Sequence, residues 1–407
     1  MACDDLPQVR CRPFFVLHEA DRFGAQQSLL AMLKGLLALQ TDTAIEPVVS
    51  VARPGPLMTD LAALPRLTLL SHARLPWVKH SPRRCLQRLG DLVGLLWAMP
   101  GRVQKLATAI QAQGATVVHV NSSVSLEGAL AARVVGVPLV WHIRELIHDP
   151  NPAYWPLLGR PLTAWVIRRL AHRVVCISRP VAVGVFGVAA TDKLPSQCVI
   201  VPNAVDIPPS LTSQPKPSKT DPQTPFQLGF LGRITPQKGL ETMLEALAGL
   251  QDYAWELCIA GRFVDAAYER HVHEKITALG LTDRVRWVGE TADPLSFLQT
   301  LDGLAVPSLA EAFGRVVIEA LMCGTPVIAS AAGGIPEILA PAGELPLGTL
   351  VDPPTVAGWQ QALAQWLTDP EGRAELALRG QQIAQTHYTP KAIAAQVLAV
   401  YAGIHKH

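Results

Sequence analysis

Short apolar segments alternate with amphipathic segments along this 407-residue chain, and this alternation constrains the fold more than any other feature. Apolar segments of this length are typical of strands buried on both faces, and the longer segments between them have helical spacing. Strands that alternate with helices form parallel sheets. The predicted strands lie at residues 14–18, 47–51, 67–70, 116–120, 138–142, 174–177, 198–201, 227–231, 255–260, 285–288, 304–307 and 326–330.

A proline-rich segment divides the alternation into two halves. Residues 206–225 contain six prolines and no pattern that could form a core, so we interpret them as a linker. The chain is also longer than the usual single core. The sequence therefore predicts an N-terminal α/β domain over residues 1–205, a second α/β domain over 226–385, and a C-terminal helix within 386–407 that crosses back to the first domain.

The cysteines and the first residues indicate a cytoplasmic protein. Seven cysteines are scattered without the spacing of a metal site or a disulfide framework, which favours a reducing compartment. The first ten residues lack the apolar segment of a signal peptide. We therefore expect a cytoplasmic location, and no nucleic-acid partner is predicted.

The formal charge differs between the two halves. Residues 1–205 carry 21 lysines and arginines against 12 aspartates and glutamates, whereas residues 206–407 carry 14 against 21. Much of the positive charge falls in residues 74–105, where seven cations and one aspartate occur among leucines and tryptophans. A basic amphipathic helix of this kind either lies on the inner face of an anionic membrane or packs its apolar side chains into the domain. The sequence leaves both alternatives open.

Residues 306–339 contain the strongest candidate for a binding site. Glu311 and Glu319 lie eight residues apart, Phe313 and Gly314 follow the first of them, and a Gly-Gly turn at 333–334 leads into another helix. We expect Glu311 in a loop and Glu319 in the helix that follows. Without metal ligands nearby, such carboxylates accept hydrogen bonds from hydroxyl groups, as in the recognition of a sugar or a ribose.

Two cations follow the first strand of the second half. Arg233 lies in the loop, Thr235 and Pro236 have the pattern of a helix start, and Lys238 is expected in the first helical turn. A lysine at the positive end of a helix dipole is electrostatically unfavourable, and an anion bound beside it would compensate for this. We interpret Arg233 and Lys238 as ligands for a diphosphate.

His142 is predicted to end a strand of the first half, and Arg144 and Glu145 follow it. The carboxyl ends of parallel strands form the edge where α/β proteins bind ligands. A histidine at such a position is either structural or in contact with substrate, and we favour the contact.

Together these residues resemble the retaining glycosyltransferases of family 4, whose GT-B fold has two Rossmann-like domains facing each other across a cleft. The resemblance covers nearly the whole chain and also includes Gly24 in the first loop. It implies a nucleotide-sugar donor, such as a UDP- or GDP-sugar, held mainly by the second domain without a metal ion or other cofactor.

The resemblance also implies a role for each candidate residue. In the second domain, Arg233 and Lys238 would neutralise the leaving diphosphate. Glu319 would bind the ribose, and Glu311 with the backbone of Phe313 and Gly314 would hold the sugar hydroxyls. In the first domain, Gly24 would let the backbone approach the phosphate and His142 would contact the sugar or phosphate.

These roles would support retaining transfer of a hexosyl group to a glycan, lipid or small-molecule acceptor in polysaccharide or glycolipid biosynthesis. A sugar-nucleotide epimerase or a phosphorylase on the same scaffold is the alternative enzyme. A non-catalytic glycan- or nucleotide-binding module is the alternative without turnover.

Overall fold

The computed structural model describes residues 11–39, 44–75, 77–79, 85–147, 155–212 and 224–404. The ten N-terminal residues used to judge a signal peptide, most of the predicted linker (213–223) and part of the basic region (76 and 80–84) lie outside the described residues. In the described part of the chain, no helix has both the length and the apolar character needed to cross a membrane.

The chain divides into two compact units. Unit 1 comprises Met1–Asp206 and Tyr388–His407, and unit 2 comprises Ile207–His387. Each unit contains a parallel sheet with helices in its crossover connections. The predicted fold class, two parallel-sheet α/β domains, is confirmed.

In unit 1, the elements before the chain enters unit 2 are β1 (Pro13–Leu17), α1 (Gly24–Ala38), β2 (Val48–Val51), α2 (Leu57–Ala62), β3 (Thr68–Ser71), β4 (Val78–Lys79), α3 (Cys85–Ala112), β5 (Val117–Asn121), α4 (Leu126–Val135), β6 (Leu139–Ile143), β7 (Trp155–Pro156), α5 (Arg160–Leu170), β8 (Arg173–Cys176), α6 (Arg179–Phe186) and β9 (Cys198–Ile200). Over these described residues, seven strands form one parallel sheet in the order β3-β2-β1-β5-β6-β8-β9, and β4 pairs with β7. The sheet strands are almost wholly apolar because helices cover both faces.

In unit 2, the elements are α7 (Pro209–Thr212), β10 (Phe226–Leu231), α8 (Leu240–Ala248), β11 (Trp255–Ala260), α9 (Ala266–Ala278), β12 (Val285–Gly289), α10 (Pro294–Thr300), β13 (Gly303–Val306), α11 (Arg315–Met322), β14 (Val327–Ser330), α12 (Ile335–Leu339), β15 (Thr349–Val351), α13 (Val356–Thr368) and α14 (Pro370–His387). Within the described part of this unit, six strands form a parallel sheet in the order β12-β11-β10-β13-β14-β15.

The last helix, α15 (Pro390–Ile404), belongs to unit 1. Its apolar side chains, among them Val397 and Tyr401, join the core formed by α1 and one face of the sheet. The chain re-enters unit 1 beside the point where it leaves, since the backbone N–H of Val205 donates to the carbonyl oxygen of Tyr388.

Strand order determines where each sheet can bind a ligand. In unit 1, β2 and β3 are added on one side of β1, and the later strands are added on its other side, beginning with β5. In unit 2, β11 and β12 lie on one side of β10, and the later strands lie on its other side, beginning with β13. At such a switch point, the loops after the two central strands run in opposite directions and leave a crevice at the carboxyl edge. In unit 2 these are the loops that contain Arg233 and Glu311.

Candidate functional site

The loop after β10 contains the two predicted cations. Arg233 follows the strand almost directly and is exposed. Lys238 lies in a short 3₁₀ helical turn, Pro236–Lys238, with Thr235 at the N-cap, so its placement in the first helical turn is confirmed, and α8 begins only after this turn. Gly239, with φ of 68°, separates this turn from α8, and a Cβ at position 239 would lie 1.9 Å from the carbonyl oxygen of Pro307. Gly239 therefore lets the loop after β10 pack directly against the backbone that follows β13.

Lys238 forms an ion pair with Glu311. The lysine Nζ lies 2.5 Å from Oε2 of the carboxylate, and the Ser308 hydroxyl lies 3.4 Å from the same oxygen. The two side chains are 28% and 17% exposed, so the pair is partly screened from water and still reachable. A cation and a carboxylate that are 73 positions apart in the sequence therefore meet at the switch point of the sheet.

Backbone contacts hold Glu311 in place from both sides. The N–H of Leu309 donates to the carbonyl oxygen of Gln237, which joins the loop after β13 to the loop after β10. The N–H of Gly334 donates to the carbonyl oxygen of Glu311 at 2.9 Å. Gly333 lies so close that a Cβ there would be 1.7 Å from that oxygen. The predicted Gly-Gly turn thus supports the backbone of Glu311.

The remaining donor-binding candidates in this unit lie at the start of α11. Gly314 precedes the first helical residue, so the positive end of the helix dipole lies beside it, and Phe313 is buried. Glu319 lies in the second turn of α11, as predicted, and its Oε1 accepts from Arg315 Nε at 2.7 Å. Sequence reasoning missed Arg315, although an arginine four residues before a glutamate on a helix is a recognisable pairing signal.

The two candidates of the first domain lie in unit 1. Gly24 is the first residue of α1. His142 lies one residue inside the end of β6, not at its end, and its ring is fully buried between His119 and Arg144. The structure therefore brings together Lys238 with Glu311 and sets Glu319 against Arg315, whereas His142 lies in the interior of unit 1.

In the described residues, no group of three or more histidine, cysteine, aspartate or glutamate side chains is arranged to hold a metal ion. The carboxylates of the candidate site are instead paired with Lys238 and Arg315.

Buried histidines should make unit 1 sensitive to acid. Burial is the main cause that lowers the pKa of His119 to about 3 and the pKa of His142 well below 6.5, and the charge of Arg144 lowers both further. The unfolded chain binds these protons near pH 6.5 and the folded chain does not. The free energy of unfolding should therefore fall as the pH drops below 6.5, by up to about 1.4 kcal/mol per pH unit for each histidine.

Urea unfolding at pH 7.0 and at intervals down to pH 5.0 measures this slope above the range in which carboxylates titrate. The variant His119→Gln, which keeps hydrogen-bonding groups but does not titrate, should reduce the slope. An unfolding free energy that is independent of pH over this interval in the wild type would contradict the burial argument.

Curated relatives match parts of the chain. It is 36% identical to the D-inositol 3-phosphate glycosyltransferase of Salinispora tropica over 190 residues. This aligned segment covers 44% of this chain and 39% of that protein. It is 28% identical to the 2-deoxystreptamine glucosyltransferase of Streptomyces kanamyceticus over 277 residues. This aligned segment covers 61% of this chain and 70% of that protein. The first matches span about two fifths of the relatives' length.

Solved structures match nearly the full length. Anabaena HepE in complex with UDP superposes with a TM-score of 0.74 at 22% identity, over 96% of this chain and 100% of that chain. WaaG, a glycosyltransferase involved in lipopolysaccharide biosynthesis, superposes with a TM-score of 0.62 at 16% identity, over 94% and 98% of the two chains. At these identities the likeness shows the shared fold.

Two family models match adjacent parts of the sequence. "Glycosyltransferase Family 4" matches residues 49–207, and "Glycosyl transferases group 1" matches residues 213–383. The boundary between them falls where the chain passes from unit 1 to unit 2. With most of the chain matched in this order on a GT-B scaffold, the protein belongs to the GT-B glycosyltransferases of family 4.

Proposed function

We propose that this protein is a retaining glycosyltransferase that moves a hexosyl group from a nucleoside-diphosphate sugar to an acceptor hydroxyl without a metal ion. The observation that carries the proposal is the Lys238–Glu311 pair at the switch point of unit 2, with Arg233 on the same loop as Lys238. Cations at this position would meet the diphosphate, and the carboxylate would face the sugar.

The chemistry requires charge stabilisation more than a strong base. The bond between the sugar's anomeric carbon and the phosphate oxygen breaks, and its electron pair passes to the diphosphate. Lys238 and Arg233 would stabilise that developing negative charge, which is the largest catalytic contribution available in such a site. The acceptor oxygen would bond to the anomeric carbon from the face that the phosphate leaves, and its proton would pass to a phosphate oxygen.

The two glutamates are suited to holding hydroxyl groups. Each is already neutralised by a cation, Glu311 by Lys238 and Glu319 by Arg315. A carboxylate held by a cation accepts hydrogen bonds and is a weak base. We therefore assign Glu311 and the backbone at Phe313 and Gly314 to the sugar, and Glu319 to the ribose. The roles of Gly24 and His142 toward the donor stay predictions.

The relatives suggest which substrates to try first. UDP and UDP-glucose are bound in structures of Anabaena HepE, so UDP-sugars are the first donors to test, with GDP-sugars second. The names of relatives point to inositol phosphates, lipopolysaccharide core sugars and 2-deoxystreptamine as acceptor classes. We propose a glycan, a lipid-linked sugar or a small polyol as acceptor.

The proposal is tested by incubating the full chain with each UDP- and GDP-sugar, with and without these acceptors, in EDTA. Transfer should release a nucleoside diphosphate only when the correct acceptor is present, and the product should keep the donor's anomeric configuration by proton NMR. An isomerised sugar nucleotide without acceptor would identify an epimerase, and phosphate-dependent release of a sugar phosphate would identify a phosphorylase. An inverted product would contradict retention, and loss of activity in EDTA would contradict metal independence.

We also propose that this protein is cytoplasmic and contacts an anionic membrane through α3. Leu95 of this helix is buried in unit 1, whereas Leu96 and Trp97 are 59% and 88% exposed, so apolar side chains remain on its surface for a membrane contact. The exposed tryptophan lies in a basic region, and this combination favours the interface of an anionic bilayer.

Flotation with vesicles that contain anionic lipid should recover the wild type at low salt and lose it at high salt. Trp97→Ala should weaken vesicle binding by about 10-fold because it removes the largest exposed apolar side chain of this helix. Leu378→Ala removes a leucine that is 59% exposed on α14 of unit 2 and serves as the matched control. Equal flotation of the wild type and Trp97→Ala would rule out this contact.

A further inference from the structure

A cavity of about 310 Å³ lies between α13 and α14 in unit 2. Its lining includes Gln365 and Trp366 of α13, Arg373 of α14, and Thr349, the first residue of β15. The cavity therefore lies at the amino edge of the sheet, whereas the loops with the donor candidates follow the carboxyl ends of the strands. Its volume is at the lower end of the range for small-ligand sites, about 300 to 1,000 Å³.

Trp366 brings an indole N–H without an acceptor to this cavity. The side chain is 4% exposed, and its six-membered ring packs on the start of β13, since a Cβ at Gly303 would lie 2.4 Å from Cη2 and Cζ3. The indole nitrogen is on the other ring and therefore faces away from Gly303. In the described part of the chain, Nε1 is buried and has no hydrogen-bond partner. A buried donor without an acceptor is unfavourable, so it indicates a place where a ligand can supply one.

Arg373 brings a second donor of this kind. Its guanidinium lies over the ring of Phe226, with Cζ 4.7 Å from the ring centroid, and the same ring lies 5.9 Å from that of Trp366. Nη1 is buried, and no described residue accepts a hydrogen bond from it. Burial lowers the pKa of Arg373, and the carboxylates of Asp302 and Asp369 oppose this shift. The charge of Arg373 is therefore compensated, while one of its nitrogens still lacks an acceptor.

The other arginine of the cavity is also paired. Arg379 donates to Glu375 and, at 2.8 Å, to the carbonyl oxygen of Pro346, and all three residues line the cavity. A charged ligand would have to compete with these contacts, whereas a neutral ligand would leave them intact. The cavity is therefore suited to a neutral ligand that carries hydrogen-bond acceptors.

We propose that this cavity binds a neutral polyhydroxylated ring, either a sugar unit of a glycan or a cyclitol. Ring hydroxyls accept from Trp366 Nε1 and Arg373 Nη1 and donate to the amide oxygen of Gln365, because a hydroxyl group does both. Since the two nitrogens are closed to water in this conformation, binding includes a rotamer change of the half-buried Arg373 side chain. The cavity thus forms a second ligand site of unit 2, at the opposite edge of the sheet from the Lys238–Glu311 pair.

NMR of the indole N–H groups in the full chain tests this site directly. The variant Trp366→Phe identifies the Trp366 signal by its loss, and the wild type is titrated with D-glucose, maltose, myo-inositol and inorganic phosphate, without any nucleotide. We expect the Trp366 signal to shift saturably with at least one neutral probe in the millimolar range, because an acceptor approaches Nε1. A shift with glucose or maltose assigns a sugar unit, and a shift with myo-inositol alone assigns a cyclitol. A shift with phosphate alone would overturn the inference.

Gln365 and Gln361 give a matched pair of substitutions on α13. Both side chains are exposed, and of the two only Gln365 lines the cavity. Gln365→Ala should raise the half-saturating concentration of the bound probe by roughly 3- to 10-fold, since it removes a hydrogen-bonding group, and Gln361→Ala should leave it unchanged. If Trp366→Phe does not fold, calorimetric titration of the wild type and these two variants makes the same comparison.

Two results of these titrations would contradict the site. Absence of binding of every neutral probe, or equal affinities in Gln365→Ala and Gln361→Ala, would overturn the inference. The titrations involve no glycosyl transfer, so their result stands even if the proposed function fails.

Discussion

Replacing Lys238 with alanine should lower the rate of sugar transfer by at least about 100-fold, since it removes the cation that would stabilise the leaving diphosphate. The loss should appear in kcat as well as in donor affinity, because negative charge grows on the diphosphate as the sugar–phosphate bond breaks. The same change leaves Glu311 without its lysine partner, so the binding of the donor sugar by Glu311 should weaken as well. Steady-state kinetics with the donor identified by screening measures both effects.

Lys275 provides a matched control for this substitution. It lies on α9 of the same unit and also pairs with glutamates, with Nζ 3.1 Å from Glu241 Oε2, but it is not on the loops at the switch point. Lys275→Ala therefore removes an equivalent charge and an equivalent ion pair away from the site, and transfer should stay near the wild-type rate. Near-wild-type turnover in Lys238→Ala would remove the catalytic role of this cation.

Gly333→Ala should have the second largest effect, on both donor binding and stability. A Cβ at this position would lie 1.7 Å from the carbonyl oxygen of Glu311, and the residue has φ of 55°. The added methyl group must therefore displace the loop that presents Glu311 to the donor. We expect a loss of about 2 kcal/mol or more in the free energy of unfolding of unit 2, and donor affinity should fall with it.

Gly343→Ala separates the effect of the clash from that of backbone strain. Gly343 has φ of 83°, also left-handed, but a Cβ there would meet no atom within 4 Å. Its substitution should cost only about 1 kcal/mol and leave donor binding intact. Chemical denaturation and nucleotide titration of the two variants give the comparison. Equal donor affinities in both would show that Glu311 does not depend on the Gly333 turn.

Twelve strands of the two parallel sheets could be predicted because parallel strands buried on both faces are largely apolar, whereas β15 and the short β4 and β7 were missed because they have only two or three residues. Glu319 could be placed on a helix because the apolar residues around it, Val317, Ile318 and Leu321, follow helical spacing. All three are buried. The pairing of Lys238 with Glu311 could not be predicted. It depends on β13 lying next to β10, and strand order is not encoded by the alternation.

His142 and Arg144 show how a one-residue error changes a functional assignment. The sequence placed the end of the strand at residue 142, whereas β6 continues to Ile143. His142 therefore lies within the strand, between the neighbouring strands β5 and β8, and not at the edge of the sheet. The ring of His142 is packed inside unit 1, and Arg144 is the first residue beyond the strand. The polar contacts around these two side chains involve residues that are distant in the sequence. Asn203 contacts Arg144, and Tyr401 contacts His119, which lies beside His142.

The affinity for nucleoside diphosphates in EDTA tests the central claim most directly, because it depends on neither the acceptor nor the donor sugar. Calorimetric titration of UDP, GDP and ADP into the wild type and Lys238→Ala provides it. We predict that one of the three binds the wild type without a metal ion, and that Lys238→Ala weakens this binding by about 10- to 100-fold. Failure of all three to bind the wild type, or equal affinity in Lys238→Ala, would contradict a donor diphosphate site at this edge of unit 2.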